Sequence, residues 1–338
     1  MGSCVFARAP MKLAKQGPAL LIRPPPLPGH RATHMPNYSS DRRRFFKQTA
    51  AAGALALMGS GARAARTGEG FKAAGFEMGL QLYTIRDPMA KAPRATLEKV
   101  AALGYRNLEI FGFDAANLGY YGWHAREFKR VLDELGLRTT TGHYGLSGHL
   151  ETPLPELRQY VERCAEGALV LGQKYVTWPW LPPQQRTLRH FELLAERLNL
   201  IGEQLAPSGL KVAYHNHDFD FIPQDGKLGY DIVMQKTEPA LVKLQLDLFW
   251  SEHSSQRSAH ELFSLQPGRF VMWHIKDMDA KNRQYTEMGN GVIDFRKFLP
   301  DMKLAGLEEY FVEQGDYFAV DPMTSIAASA AWVKKVLE

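Results

Sequence analysis

From residue 75 onward, short runs rich in β-branched and aromatic residues alternate with longer stretches whose apolar positions recur every three or four residues. The first pattern is that of a strand and the second that of an amphipathic helix. Eight strands are predicted, over 76–85, 106–111, 138–143, 175–178, 211–215, 241–248, 270–275 and 310–313. Eight helical stretches separate and follow them, over 95–103, 124–135, 154–171, 187–205, 231–236, 259–265, 295–304 and 325–337. Strict strand–helix alternation predicts a parallel sheet, and a count of eight predicts that the sheet closes into a (β/α)8 barrel forming a single domain. Gly104, Gly136, Gly172 and Gly306 each follow a last apolar-periodic residue, where a left-handed helix cap is favoured. The longest connections, 218–228 and 277–294, follow strands five and seven. They fall on the face where barrels of this kind carry their chemistry.

Four of the apolar runs stop at a metal-ligand type of residue: His215, Asp247, His274 and Glu313. One such residue at a strand end is ordinarily a hydrogen-bonded structural group. Four at equivalent ends of consecutive strands predict a divalent cation at the barrel mouth. A mixed imidazole and carboxylate set favours Mn2+, Co2+ or Zn2+ over Mg2+ and Ca2+, which prefer oxygen alone. A second polar layer surrounds these four. Glu109 and His143 end strands two and three, Gln81, Tyr83 and Arg86 follow strand one, and His217 lies just beyond strand five. Trp178, Trp180 and Trp250 lie near the ends of strands four and six, and aromatic faces beside charged and amide groups suit a sugar. The alternative for Trp178 and Trp250 is a place in the rim of the core. Lys276 reads either as an oxyanion-stabilising ammonium or as a partner of Asp277.

Composition changes the picture at the N-terminus. The 338 residues are 45% hydrophobic and carry a net charge of +5, yet ten of the 41 bases and only one of the 36 acids lie in residues 1–64. The remainder therefore has 31 bases against 35 acids, a net charge of −4. Phosphate-backbone binding needs clustered Lys and Arg, so nucleic acid is not an expected partner. Within the basic segment, Asp41-Arg42-Arg43-Arg44-Phe45-Phe46-Lys47 precedes a weakly apolar run and Ala62-Arg63-Ala64. That order resembles a twin-arginine export signal, which implies a cleaved leader over 1–64, passage through the export machinery and a periplasmic location. Met35 stands just before the signal as a second candidate start. Cys4 falls in the leader and Cys164 in a predicted helix, so no disulfide framework is expected and Cys164 reads as a small buried hydrophobe.

Nucleophilic chemistry has little support: no Gly-x-Ser-x-Gly elbow, Walker loop or dinucleotide fingerprint is present. Gly289-Asn290-Gly291 reads as turn chemistry that helps to shape the mouth.

Taken in order, Gly79-Leu-Gln81-Leu-Tyr83-Thr-Ile-Arg86-Asp87, Tyr214-His-Asn-His217-Asp-Phe-Asp-Phe221, Leu246-Asp247-Leu-Phe-Trp250, His274-Ile-Lys276-Asp277, Gly289-Asn-Gly291-Val-Ile-Asp294-Phe295 and Val312-Glu313-Gln314 carry a resemblance. Together they resemble the sugar phosphate isomerase/epimerase family, which has the xylose isomerase-like TIM barrel, over residues 75–338. The resemblance implies a divalent metal held at the mouth and proton transfer beside a sugar carbonyl. Asp247, His274 and Glu313 match its ligand positions. The strand-five position departs, because His215 stands where ketose 3-epimerases of the superfamily place a glutamate that both binds metal and moves a proton. An imidazole bound through one nitrogen cannot serve as a free base on that nitrogen. Glu109, His143 and His217 are then the candidate proton-transfer groups, with Lys276 and Glu313 beside them. The same resemblance extends to members that eliminate, the inosose dehydratase-like and 3-keto-glycoside-cleaving ones. The expected function is a metal-dependent sugar isomerase or epimerase, with 3-keto-glycoside cleavage and noncatalytic periplasmic sugar binding as alternatives. Homo-oligomerisation is compatible with the sequence and has no specific signal in it.

Overall fold

The computed structural model describes residues 70–338, so the leader read from the sequence lies outside the described residues. Eight parallel strands close into a barrel: β1 (Gly79–Gln81), β2 (Asn107–Ile110), β3 (Arg138–His143), β4 (Tyr175–Trp178), β5 (Lys211–His215), β6 (Val242–Asp247), β7 (Met272–Ile275) and β8 (Glu309–Val312). Each strand pairs with its sequence neighbours, and β1 closes the ring on β8. Alternation of side chains sorts the residues. Leu80, Leu108, Val176, Val212, Leu244, Leu246, Trp273, Ile275 and Tyr310 belong to the large apolar cluster between the strands and their helices. Tyr175, Ala213, Met272 and Phe311, on the other parity, form a separate small apolar floor inside the barrel with Val271. Above that floor the inward positions turn polar, and there the site forms.

Each expected helix has a counterpart in place, two further short helices, Arg86–Lys91 and Leu248–Ser254, join them, and the local differences have identifiable causes. The first strand is short because the Gln81 side chain accepts the Tyr83 N–H at 3.0 Å and turns 82–85 into a 3-10 helix. A helix the sequence did not announce, Leu248–Ser254, follows β6 directly, and Asp247 ends the strand by accepting the Trp250 N–H at 3.0 Å as an N-cap. The expected helix over 295–304 is a 3-10 segment, Phe295–Asp301, running into a short helix Met302–Ala305, with Pro300 inside the turn. The four predicted glycine caps all hold positive φ, from 64° at Gly136 to 95° at Gly104. Cys164 is fully buried.

The loop after β7 is built around one carboxylate. Asp277 accepts N–H bonds from Met278, Gly289, Gly291 and Ile293 at 2.8 to 3.1 Å. A Cβ on Gly291 would stand 2.2 Å from Asp277 Oδ1 and 2.4 Å from the Met278 carbonyl, and neither atom is free to move. Gly291→Ala is therefore expected to cost about 1–3 kcal/mol, the usual range for forced overpacking. A thermal midpoint equal to that of the unsubstituted protein would refute this account of the loop.

Candidate functional site

The inward residues at the C-terminal ends of the strands meet in one buried cluster. Asp247 lies beside His274 in register, His215 beside Gln245, and Gln81 beside Glu109. His215 Nε2 stands 3.8 Å from Asp247 Oδ2, and His274 Nδ1 stands 3.1 Å from Glu313 Oε2. Donor atoms of His215, Asp247, His274 and Glu313 all lie within 4.8 Å of one another, and all four residues are buried. Lys276 completes the group. Its ammonium is 2.8 Å from Asp247 Oδ2, off the hydrogen-bonding angle, and bonds Glu313 Oε2. The alternative pairing with Asp277 does not form, because that carboxylate is taken up by backbone N–H groups. Two steps past His274, Lys276 keeps its inward parity and is drawn into the cluster.

The local charges hold one another in place. Burial lowers the basicity of His274, but Glu109 and Glu313 outweigh it and raise the imidazole to about 10. Burial works to raise the Glu313 carboxyl, while Lys276 and His274 hold it well below the usual carboxylate range. Burial raises Asp247 in spite of Lys276 beside it. Lys276 is disfavoured as a cation by burial, yet Asp247 and Glu313 raise it above the ordinary lysine value.

A divalent ion fits this set on three observations. The donors are two imidazoles and two carboxylates, a mixture suited to borderline cations. Ligands about 2.1 Å from a common ion are separated by roughly 3.4 Å in a tetrahedron, close to the two pair distances given above. Asp247 Oδ2 is buried and accepts no hydrogen bond, while Asp247 Oδ1 caps the following helix. The Asn216 side chain supports the arrangement by accepting the Asp247 N–H at 2.9 Å.

Behind the cluster runs a relay that sequence reasoning did not anticipate. Glu109 is fully buried and receives Gln245 Nε2 at 2.6 Å on one oxygen. Its other oxygen receives Gln81 Nε2 at 2.7 Å and His274 Nε2. Gln245 Oε1 in turn stands 2.9 Å from His143 Nε2. Because a carboxylate only accepts, the Gln245 amide points its nitrogen at Glu109 and its oxygen at His143. The Nε2 of His143 must then carry a proton, which leaves Nδ1 as the lone-pair nitrogen. Burial lowers the pKa of His143 against the opposing pull of Glu109, so the ring is neutral at neutral pH. Glu109 thus acts as an orienting group for His274 and, through Gln245, for His143. Gln245 lies two residues before Asp247 on the same inward parity, and that spacing was the signal available for it.

The remaining predicted residues divide. The His217 ring is 4.8 Å from that of His215 and 6.0 Å from Trp250, and burial with nearby Lys276 keeps it neutral. Its Nδ1 is buried without a partner among the described residues, as is Trp250 Nε1. The Trp250 and Tyr285 rings lie 5.9 and 5.2 Å from the Lys276 ammonium. Tyr285 was not foreseen. Tyr83 and Trp180 are rim residues, 43% and 39% exposed. Arg86 lies over Tyr83 and is held by the Gly315 carbonyl at 2.7 Å and Asp316 at 2.8 Å, so it clasps the loops after β1 and β8. Gln81 serves Glu109. Trp178 corrects the expectation of a substrate contact: Thr177 points inward to Thr141 at 2.7 Å, so Trp178 faces the helices, fully buried.

Comparisons with known proteins agree with this fold. Residues 97–336 match the family model described as xylose isomerase-like TIM barrel. An inosose dehydratase of Geobacillus thermodenitrificans (strain NG80-2) is 26% identical over 147 residues, 38% of this chain and 48% of that protein. The match thus spans about half the length of that relative. A sugar phosphate isomerase/epimerase from Parabacteroides distasonis ATCC 8503 superposes with a TM-score of 0.67 at 23% identity, over 78% of this chain and 100% of that one. The IOLI protein with a bound zinc atom superposes with a TM-score of 0.60 at 18% identity, over 78% and 98%. At these identities the two structures share a fold with this chain.

Proposed function

The chain belongs to the xylose isomerase-like TIM barrel family, and from that premise we propose that it is a metal-dependent sugar isomerase or epimerase working by proton transfer beside a carbonyl. The observation that carries this reading is the buried set of His215, Asp247, His274 and Glu313, in which Asp247 Oδ2 accepts no hydrogen bond and faces only the Lys276 ammonium, next to a neutral His143 whose tautomer is fixed. Those four residues would hold the ion. The chemistry a divalent cation supplies there is polarisation of the substrate carbonyl, which acidifies the adjacent C–H.

The protein's own groups do the rest. His143 takes the proton on Nδ1, and the resulting imidazolium is stabilised by Gln245 and Glu109 on its Nε2 side. The C–H electron pair moves into the carbonyl to give an enediolate, whose developing charge the Lys276 ammonium stabilises. His217, on the Trp250 side of the cluster, is positioned to exchange a proton at a second point of the substrate. Return of a proton to the opposite face of the same carbon gives epimerisation, and return to the neighbouring carbon gives isomerisation. Expulsion of a β-substituent from the enediolate gives elimination instead. This second reading is favoured by the strand-five histidine and by the likeness to an inosose dehydratase.

Proton exchange into sugars in deuterated water separates these readings. With Mn2+ added, the protein is expected to introduce deuterium at one carbon next to the carbonyl of a ketose or aldose, as read by NMR. Release of aglycone from a 3-keto-glycoside with no exchange into any free sugar would replace the isomerase reading by the lyase one. Saturable binding with neither reaction would leave a sugar-binding protein. The periplasmic location proposed from the leader has its own check: Arg42→Lys with Arg43→Lys is expected to retain the protein in the cytoplasm.

A further inference from the structure

Beyond the cluster, Arg186 at the mouth has no carboxylate within 4.0 Å among the described residues. Arg186, in the loop after β4, is half-buried. Its guanidinium carbon lies 4.0 Å from the centre of the Phe219 ring and 5.1 Å from that of Trp180. The Nε–H is fixed on the Leu181 carbonyl at 2.9 Å, and the Arg186 carbonyl receives Gln224 Nε2 at 2.8 Å. The Nε–H bond and the two aromatic contacts hold the guanidinium plane, and the Gln224 bond ties the Arg186 backbone to the loop after β5. The two terminal nitrogens have no hydrogen-bond partner and no carboxylate within 4.0 Å among the described residues.

Lys276 and Arg86, also at the mouth, are paired. Lys276 has Asp247 and Glu313, and Arg86 has Asp316. Asp218 and, less strongly, Asp220 act on Arg186 at a distance, neither within ion-pair range, and Asp220 is engaged by the Tyr214 hydroxyl at 2.6 Å and the His217 N–H at 2.7 Å. Phe219 links the arginine to the site, since its ring stacks on His217 at 5.5 Å with 6° between the planes. His217 and Phe219 thus form a continuous line from the His215 end of the cluster to Arg186, along which a ligand with its carbonyl at the cluster would extend.

We propose that Arg186 is an anion subsite that receives a carboxylate carried by the substrate, away from its reacting carbonyl. A planar fork held in place matches a carboxylate through two parallel N–H bonds, and its preorganisation spares the entropy a loose lysine would lose. The exposed face of Trp180 covers the apolar ring face next to that carboxylate. The substrate class is thereby narrowed from sugars at large to acidic ones, in deepening of the function proposed above, on which it rests.

Titration calorimetry of the full chain with Mn2+, using D-glucuronate and D-glucose as matched probes, tests this. The unsubstituted protein is expected to bind glucuronate roughly 10- to 100-fold more tightly, the range of a charge-assisted hydrogen-bonded pair. Arg186→Ala is expected to bring the ratio of the two affinities close to one. Arg186→Lys, which keeps the charge and suits a chain that loses its fold as alanine, is expected to lower that ratio severalfold. Equal affinities in the unsubstituted protein, or a ratio unmoved in both variants, would overturn the subsite and leave the sugar site itself standing. Failure to bind either sugar would overturn the subsite together with the sugar reading.

Discussion

Replacing Asp247 with asparagine is expected to strip the protein of metal while leaving it folded. Asparagine retains Oδ1, which caps the helix Leu248–Ser254 through the Trp250 N–H. The cap, worth about 1 kcal/mol, is therefore kept, whereas alanine would lose it. What changes is the other oxygen. Asp247 Oδ2 is the buried acceptor without a hydrogen bond, 2.8 Å from the Lys276 ammonium and 3.8 Å from His215 Nε2. An amide nitrogen there carries no ligand lone pair and turns two hydrogens toward a cation. Metal content is expected to fall from about one ion per chain to near zero, and turnover by about 1,000-fold or more, because in the proposed mechanism the Lewis acid would acidify the substrate C–H. His274→Ala is expected to do the same. Glu109→Gln changes the shared partner of His274, Gln245 and Gln81 without removing a ligand, and is expected to weaken metal binding by a milder 10- to 100-fold, as orienting groups behind ligands generally do. Elemental analysis and unfolding curves on the three variants read all of this. A metal-replete Asp247→Asn protein would remove the site from these strand ends.

The same residues explain how much of the molecule could be read before its structure. Apolar runs that each end on one polar residue declared both the strands and the direction of their last side chain, so Asp247, His274, Glu313 and His215 were legible as a group. Parity was the information left partly unused. Counting in twos from Asp247 reaches Gln245, and counting in twos from His274 reaches Lys276. Both are inward, and both belong to the cluster. The same count takes Trp178 out of the site, since Thr177 next to it faces in. Contacts between loops had no comparable signal. That Arg86 would spend its charge on Asp316, that Arg186 would lie between Trp180 and Phe219, and that Asp277 would gather four N–H groups depend on how distant segments fold over the mouth. The helix after β6 was hidden for another reason. Leu248 and Phe249 extend the apolar run of the strand, and only the capping role of Asp247 ends it there.

Removing the imidazole of His143 is expected to separate chemistry from metal binding. His143 lies with its ring centre 5.1 Å from that of His215 and 5.4 Å from that of His274, and donor atoms of these three histidines also lie within 4.8 Å of one another. Two roles therefore compete for it: a ligand beside His215 and His274, or a base. The hydrogen bonds fix the lone pair on Nδ1, and we propose the base, because His215, Asp247, His274 and Glu313 already supply four ligands without it. Glu109 orients the Gln245 amide, Gln245 Oε1 claims the Nε2 proton at 2.9 Å, and Glu109 Oε2 lies 3.2 Å from the same nitrogen. The nitrogen nearest the carboxylate is thus occupied by its own proton, and the free lone pair is on Nδ1. His143→Asn is expected to lower kcat by about 100- to 10,000-fold, the contribution usual for a positioned general base, with KM and metal content nearly unchanged. Deuterium exchange into the sugar should fall by the same factor, because it reports C–H cleavage directly. A ligand role predicts the opposite division, with metal lost first and activity restored by raising the Mn2+ concentration. Exchange that survives at the full rate in His143→Asn would move the base to His217, whose Nδ1 is buried and unpartnered on the other side of His215.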